Sequence, residues 1–148
     1  MKRVIIIMLT YLCVALAAAA QSATDIRQLF ADFASTDGST TETIISGDAL
    51  KGTHLSLYRS LVITGPVSNA DTIAARVVKC AANAQSREIT YIDGKIYYAQ
   101  FALPPMAGET DNRYLFYLNS GLKGKKRLMI IYMSGKATLN QIKKLINQ

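Results

Sequence analysis

The sequence predicts an α+β fold, an antiparallel sheet of about five to six strands with about three helices packed on it. In the second half of the chain, runs of aromatic and β-branched residues follow one another, as is typical of strands. Asp93 and Gly94 separate two of these runs and favour a tight hairpin turn. Strands joined by such short turns are antiparallel, because parallel neighbours need long crossovers. Helical periodicity elsewhere in the chain supplies the helices.

Three segments have helical patterns, in which apolar residues recur at the spacing that places them on one side of a helix. The first follows the polar pair TD, which offers cap candidates, and the segment DGST ends it. Ser68 and Asp71 are spaced as a capping pair for the second and longest helix, and Thr138 and Gln141 for the third. The apolar sets are Ile26, Leu29, Phe30 and Phe33; Ile73, Val77, Cys80 and Ala84; and Leu139, Ile142, Leu145 and Ile146.

The other elements are predicted as strands and turns. Thr40 to Ser46 is rich in β-branched residues and predicts the first strand. The segment SGDALKG then predicts a tight helical turn, capped by Ser46 and closed at Gly52. The alternation in LSLYRSLVIT predicts a strand, although its apolar spacing also permits a helix. The later strands are the hairpin ITYIDGKIYYAQFAL and the runs RYLFYLN and RLMIIYM, which SGLKGKK connects.

The N-terminal segment has the three-part pattern of a secretory signal peptide. Lys2 and Arg3 carry positive charge, an apolar run extends over residues 4–16, and small residues follow to Ala20. A permanent span would need roughly 20 strongly apolar residues, whereas this run decays into alanine. We therefore predict that residues 1–20 are a cleaved signal peptide, with a cut after Ala23 as the neighbouring alternative.

Two other fates of this leader are less consistent with its pattern. Lipid attachment at Cys13 would need small residues before the cysteine, but Tyr11 and Leu12 precede it and Cys13 lies inside the apolar run. The remaining alternative is an uncleaved anchor. Export to the periplasm or cell envelope is thus the localisation that the sequence predicts.

Residues 21–148 then form a single domain, large enough to bury one core. Loss of Lys2 and Arg3 with the leader leaves fifteen basic and ten acidic residues, and a net charge of +5 favours anionic partners. Cys80 is the only cysteine of that domain, so no internal disulfide is predicted and the core must stabilise the fold.

The residue inventory argues against several chemistries. Residues 21–148 contain one His and one Cys, which are too few for a closed zinc site. The sequence contains neither an alternating acidic calcium loop nor a glycine-rich nucleotide loop. A nucleophilic pair of Cys80 and His54 is disfavoured because Cys80 shares the apolar side of its helix with Val77, where buried thiols are inert. A serine triad using His54 lacks the G-x-S-x-G turn. We therefore predict no catalytic residue, no metal and no cofactor.

The sharpest surface feature is the basic turn, formed by Lys123, Lys125, Lys126 and Arg127. Such a cluster can bind an anionic envelope component, such as lipid headgroups or acidic polysaccharide. Charged turns also keep a sheet soluble, which is the plainer interpretation. Nucleic acid is not expected as a partner of an exported protein.

Both faces of the late strands have apolar patterns, although a sheet with helices on one side has only one face to bury. Either helices cover both faces, or the second face meets a partner. Tyrosine offers a binding face rigid contact area with a polar tip. We predict an exposed tyrosine-rich surface between Tyr91 and Met133, with the basic turn at one end. Its predicted members are Tyr97, Tyr98, Phe101, Tyr114, Phe116, Tyr117 and Tyr132.

A resemblance to a known family rests on the order SGDALKG, LSLYRSL, a helix, an ALPP loop, NRYLFYLN and LMIIYMSGKATLNQIKKLI. Over residues 24–146, the chain resembles small exported domains of unknown function from Gram-negative gut bacteria. The resemblance implies export and an α+β fold. It implies no activity and no functional residues.

Together these observations predict an exported, non-enzymatic binding or interaction domain. Its expected partner is an envelope protein or an anionic envelope component, and it meets the membrane only through the transient signal peptide. One alternative is a small hydrolase that uses carboxylates such as Asp48, Asp111 or Glu109 near the loop PPMAGETDNR. The other is a self-associating structural module, since a homo-oligomer is left open.

Overall fold

The computed structural model describes residues 25–34 and 39–146. In this part of the chain, a six-stranded antiparallel sheet with the order β1-β2-β6-β5-β4-β3 carries three α-helices. The predicted α+β class is thereby confirmed. The predicted signal peptide, its two cut sites, Cys13 and the first half of the DGST segment lie outside the described residues.

The sheet and its helices have the following bounds. The strands are β1 (Thr40–Ser46), β2 (Leu55–Thr64), β3 (Ser86–Ile92), β4 (Lys95–Leu103), β5 (Asn112–Asn119) and β6 (Arg127–Gly135). The α-helices are α1 (25–33), α2 (Ala70–Cys80) and α3 (Leu139–Ile146), and two short 3-10 turns cover Gly47–Leu50 and Ser120–Lys123. β2 is a strand and not a helix, because it pairs with β1 on one side and β6 on the other.

Three residues with positive φ explain a strand turn and a close approach between strands. Asp93 and Gly94 both have positive φ, +50° and +74°, so they form the predicted two-residue turn between β3 and β4. Gly135 ends β6 beside the start of β2, and a Cβ atom there would lie 2.6 Å from the carbonyl oxygen of His54. Because the end of β6 and the start of β2 approach each other so closely, this position requires glycine.

We call the face that carries α1 and α2 the front face. Its strand residues include Leu61, Phe101, Leu115 and Ile130, all of them fully buried. The predicted apolar side of α1 packs onto this face, together with Ile73, Val77 and Cys80 of α2. Most of the buried apolar side chains in the described residues belong to this one cluster.

The opposite face, the back face, carries α3. Its cluster contains Tyr114, Phe116 and Met133 of the sheet, with Ala137 before the helix and Ile142 within it. The predicted capping box of α3 is confirmed. The backbone N–H of Thr138 donates to Oε1 of Gln141 at 2.8 Å, and the N–H of Gln141 donates to Oγ1 of Thr138 at 3.4 Å.

The predicted start of α2 was wrong. The residue that precedes the helix is Asn69, and no side-chain hydrogen bond caps it. Ser68 lies one residue further out, and Asp71 forms an ion pair with Lys95 at 3.4 Å. The helix also ends at Cys80, so Ala84 packs against the core from the turn beyond it. Likewise, Ser46 precedes the first 3-10 turn without a side-chain cap.

Candidate functional site

The predicted exposed tyrosine surface was wrong for five of its seven members. Helices cover parts of both faces, and the side chains beneath them are inaccessible. Phe101, Tyr117 and Tyr132 of the front face and Tyr114 and Phe116 of the back face are buried. A sheet with helices on both sides buries aromatic residues on both sides, so these five serve the core.

The hydroxyl groups of the buried tyrosines form specific hydrogen bonds. Tyr114 donates to the carbonyl oxygen of Ala137 at 3.0 Å, and Tyr117 donates to that of Ala70 at 3.4 Å. Burial raises the pKa of Tyr117 to about 12, although a hydrogen bond with Asn119 opposes the shift. These tyrosines tie the sheet to the segments that carry α3 and α2.

Tyr132 belongs to a buried polar pair on the front face. Its hydroxyl accepts a hydrogen bond from Nε of Arg113 at 2.9 Å, and the guanidinium also donates to the carbonyl oxygen of Pro104 at 3.0 Å. Arg113 is 2% exposed. Through these hydrogen bonds, Arg113 links the loop after β4 to the sheet. Arg113 lines none of the cavities described here.

Tyr97 and Tyr98 are half-buried and lie on opposite faces of β4. Nζ of Lys123 lies 4.3 Å from the ring centre of Tyr97, a cation–π contact. The hydroxyl of Tyr98 donates to Oε1 of Gln100 at 2.9 Å, and its pKa is raised by burial and by the nearby carboxylate of Glu88. Tyr98 also lines a cavity on the back face.

Two adjoining cavities on the back face form what we call the back groove. Their volumes are about 360 Å³ and 260 Å³, and Met129, Ile131 and Ile146 line both of them. The floor follows β6, because Arg127, Met129, Ile131 and Met133 alternate toward this face. The other lining residues are Ile45, Leu50, Thr53, Leu55, Tyr58 and Leu145 in the larger cavity, and Tyr98, Phe116, Tyr117 and Leu118 in the smaller one.

The last turn of α3 lies over the back groove and covers only part of it. Ile142 is fully buried, but Leu145 and Ile146 are 40% and 44% exposed. Met129 and Ile131, on the floor of the groove, are half-buried. An eight-residue helix is only about 12 Å long, which is shorter than the strands that it crosses. The back face is therefore apolar and incompletely covered within the described residues.

Among the described residues that line the two cavities of the back groove, Arg127 is the only charged one. It is exposed, and within the described part of the chain its guanidinium makes no hydrogen bond or ion pair. The groove thus combines an apolar floor with one positive charge at the end where β6 begins.

The structure divides the basic turn between different environments. Lys126 and Arg127 line a cavity of about 300 Å³ with mixed polar and apolar walls, which Lys95 and Asp71 also line beside the start of α2. Lys123 contacts Tyr97, as described above. A fourth cavity, of about 210 Å³, is lined by Glu88, Tyr98, Lys143 and Ile146. Lys125 is exposed and lines none of these four cavities.

The carboxylates named in the hydrolase alternative are not gathered around a cavity. Asp48 forms an exposed ion pair with Lys51 at 3.0 Å, and Asp111 pairs with Lys136 at the same distance. Glu109 is exposed on the loop between β4 and β5. None of the three lines any of the four cavities described here.

Cys80 is buried, as its position on the apolar side of α2 predicted. Its thiol donates to the carbonyl oxygen of Asp25 at 3.5 Å, and burial raises its pKa, with a smaller contribution from the charge of Asp25. His54 is exposed and has a positive φ of 60° where the chain enters β2. Cys80 is free, as the sequence predicts for a domain without an internal disulfide.

Two general features of the described residues bear on the kind of site present. They contain no group of three or more His, Cys, Asp or Glu side chains placed to hold a metal ion. None of their helices is both long and apolar enough to cross a membrane.

Sequence reasoning missed most of the back groove. Leu55, Tyr58, Met129 and Ile131 were recognised as strand residues, but their meeting under Ile146 was not predicted. The alternation of Arg127, Met129, Ile131 and Met133 along β6 was a usable signal, since it places one charge and three apolar side chains on one face.

Fold and groove define a small α+β domain with a partly covered apolar sheet face. Comparison with protein families gives the same level of description. The chain matches the family of unknown function DUF6108 over residues 13–146 and belongs to that family. No curated protein was found to match the chain. The predicted resemblance to a family of unknown function is thereby confirmed.

Proposed function

We propose that this chain is an exported, non-enzymatic binding domain of the cell envelope and that the back groove is its binding face. The observation that carries the proposal is the apolar floor of the groove, which α3 leaves partly open. Ligand sites are typically concave and mostly apolar, with few polar groups. The two cavities have this character, and Arg127 is the only charged residue among the described residues that line them.

Energetics support binding at this face. Partly exposed apolar area contributes roughly 25 cal/mol per Å² when it is removed from water. Leu145, Ile146, Met129 and Ile131 leave such area at one place, and contiguous apolar patches commonly mark interaction sites. Any occupant that covers these four side chains gains that free energy.

Export is the second part of the proposal, and the leader pattern of residues 1–20 supports it. We place the protein in the periplasm or envelope of a Gram-negative bacterium. Its partner is an envelope protein or an anionic envelope component, and we propose no nucleic acid partner. Terminal sequencing of protein isolated from envelopes should find Gln21 or Thr24 first. Retained Met1, or an acylated Cys13, would contradict export by cleavage.

The binding face can be tested with a pair of matched variants and a neutral apolar dye. Nile red should fluoresce more strongly and at shorter wavelength in the presence of the purified protein. Ile146→Asp places a carboxylate at the junction of the two cavities and should abolish most of the signal. Ile44→Asp makes the same change at a site that is 59% exposed on β1 and lines neither cavity, so it should leave the signal unchanged.

Both substituted side chains are substantially exposed, so both variants should keep the fold, and circular dichroism checks this. Equal dye binding by Ile146→Asp and Ile44→Asp would exclude the back groove as the binding face. Absence of dye binding by the unmodified protein would have the same meaning.

A further inference from the structure

We infer that the back groove binds a free single-chain anionic amphiphile of the fatty acid type, with its acid group at Arg127 and its chain along β6. This inference rests on the proposed function and specifies the chemistry of the ligand.

The shape of the groove matches an elongated ligand. Arg127 and Met133 are six residues apart on one extended strand, a separation of roughly 20 Å at about 3.3 Å per residue. Met129 and Ile131 lie between them on the same face and line both cavities. An extended acyl chain has this scale and needs only apolar neighbours along its length.

Polarity orients that ligand. At one end of the floor lies Arg127, whose guanidinium has no partner within the described part of the chain. A guanidinium matches a carboxylate geometrically and forms charge-assisted hydrogen bonds with it. At the other end, Met133 is buried under α3. The acid group therefore belongs at the Arg127 end and the methyl end of the chain toward Met133.

Charge argues against a second copy of this chain as the occupant. Without the leader, the chain carries a net charge of +5. Arg127 borders the groove, and Lys144 is exposed on α3. Lys143, beside it, pairs with Glu88 at 3.3 Å. Two copies joined through their back faces would bring like charges together, whereas an anionic ligand gains attraction.

The inference can be tested by NMR of the purified protein labelled with carbon-13 at its methionine methyl groups. Met129 and Met133 report on the groove, and Met106, on the loop between β4 and β5, lines none of the four cavities described here. Laurate is the anionic probe, and dodecyltrimethylammonium is a cationic probe of equal chain length, both used below micelle-forming concentrations. Laurate should shift Met129 and Met133, leave Met106 unchanged and bind more tightly than the cation.

Matched variants test the position of the acid group. Arg127→Gln should weaken laurate binding about fivefold, because one charge-assisted contact at a partly solvated site is lost. Lys125→Gln removes the same charge from the same turn but lines neither cavity, so laurate binding should stay within about twofold. Dodecyltrimethylammonium should bind no more weakly to Arg127→Gln than to the unmodified protein.

Several results would overturn the inference while leaving the proposed function intact. They are equal affinity for both probes, equal effects of Arg127→Gln and Lys125→Gln, and laurate shifts as large at Met106 as at Met129.

Binding to phosphatidylglycerol vesicles with no response to free laurate would assign the face to a membrane surface. A doubled mass in sedimentation, with shifts of Met129 and Met133 in the absence of ligand, would assign it to a second copy. Absence of Nile red binding, or equal binding by Ile146→Asp and Ile44→Asp, would instead contradict the proposed function itself.

Discussion

The front and back faces of the sheet are built from the same strands but differ in how completely they are covered. Ile130 points to the front and is fully buried, whereas Met129, its neighbour on β6, points to the back and is half-buried. The front cluster contains nineteen buried side chains of the described residues, and the back cluster five. Both faces have apolar alternation, so the difference comes from the helices that lie on them.

Helix length and placement decide this difference. Two helices, α1 and α2, lie side by side on the front face and contribute eight buried side chains to its cluster. Of the described helices, only α3 lies on the back face, and it has one buried residue, Ile142. The front face therefore buries most of the core, and the back face keeps the open apolar area at which we propose that a ligand binds.

The largest expected decrease in the free energy of unfolding results from loss of front-face packing. Phe30 of α1 is fully buried, and the guanidinium of Arg59 lies 4.5 Å from its ring centre. Phe30→Ala should lower the free energy of unfolding by about 3–5 kcal/mol. Leu145→Ala on α3 should lower it by less than about 1 kcal/mol, because Leu145 is 40% exposed. Urea titrations measure both, and equal costs would contradict the division between the faces.

The next effect is a loss of stability at high pH through Tyr117 on the front face. Its pKa of about 12 in the folded state exceeds the ordinary value of 10.0 because burial disfavours the phenolate. The stabilisation is therefore complete below pH 10 and is lost as the pH rises from 10 to 12, by about 2–3 kcal/mol. Tyr117→Phe should be less sensitive to pH over that window. Identical pH profiles for the two proteins would exclude Tyr117 as the cause.

A smaller loss of stability is expected at Cys80, which lies on the buried side of α2. Cys80→Ser should cost about 1–2 kcal/mol, because it places a hydroxyl group in an apolar site. The native thiol should react slowly with a thiol reagent, since it is buried and its pKa is raised. Unfolding in urea should make the reaction fast. Rapid labelling of the native protein would show that the space beneath α1 is open.

Most of the fold could be predicted from the sequence because its signals are local. The pair Asp93 and Gly94 specifies its turn, and Thr138 with Gln141 specifies the start of α3. β1 has the predicted bounds, Thr40–Ser46. The start of α2 was misplaced because Ser68 has the spacing of a cap, while the turn after β2 places Asn69 there. Turn geometry decided that position.

The groove could not be predicted, because alternation shows which face a side chain points to but not what lies over it. Tyr114 and Met129 both point to the back face, on neighbouring strands. Tyr114 is buried beside Ala137 and α3, and Met129 lies beyond the part that α3 covers well. The predicted tyrosine surface was wrong for this reason. Arg127 was predicted as one member of the basic turn, although alternation along β6 already places it on the same face as Met129 and Ile131. That this face is the floor of an open groove emerged only from the structure.

The smallest expected change in the free energy of unfolding is that of a back-face substitution on β6, which can be compared with a substitution at the next residue. Met129→Ala should lower the free energy of unfolding by about 1 kcal/mol or less, because the side chain is half-buried and borders an open groove. Ile130→Ala, the next residue, should cost about 2–5 kcal/mol, because it leaves a cavity in the front core. Met129→Ala should nevertheless weaken Nile red binding, since it removes part of the groove floor. A cost of Met129→Ala equal to that of Ile130→Ala would show that the back face stabilises the fold as strongly as the front. In that case the floor of the groove would be structural core, and its open area would not be a binding face.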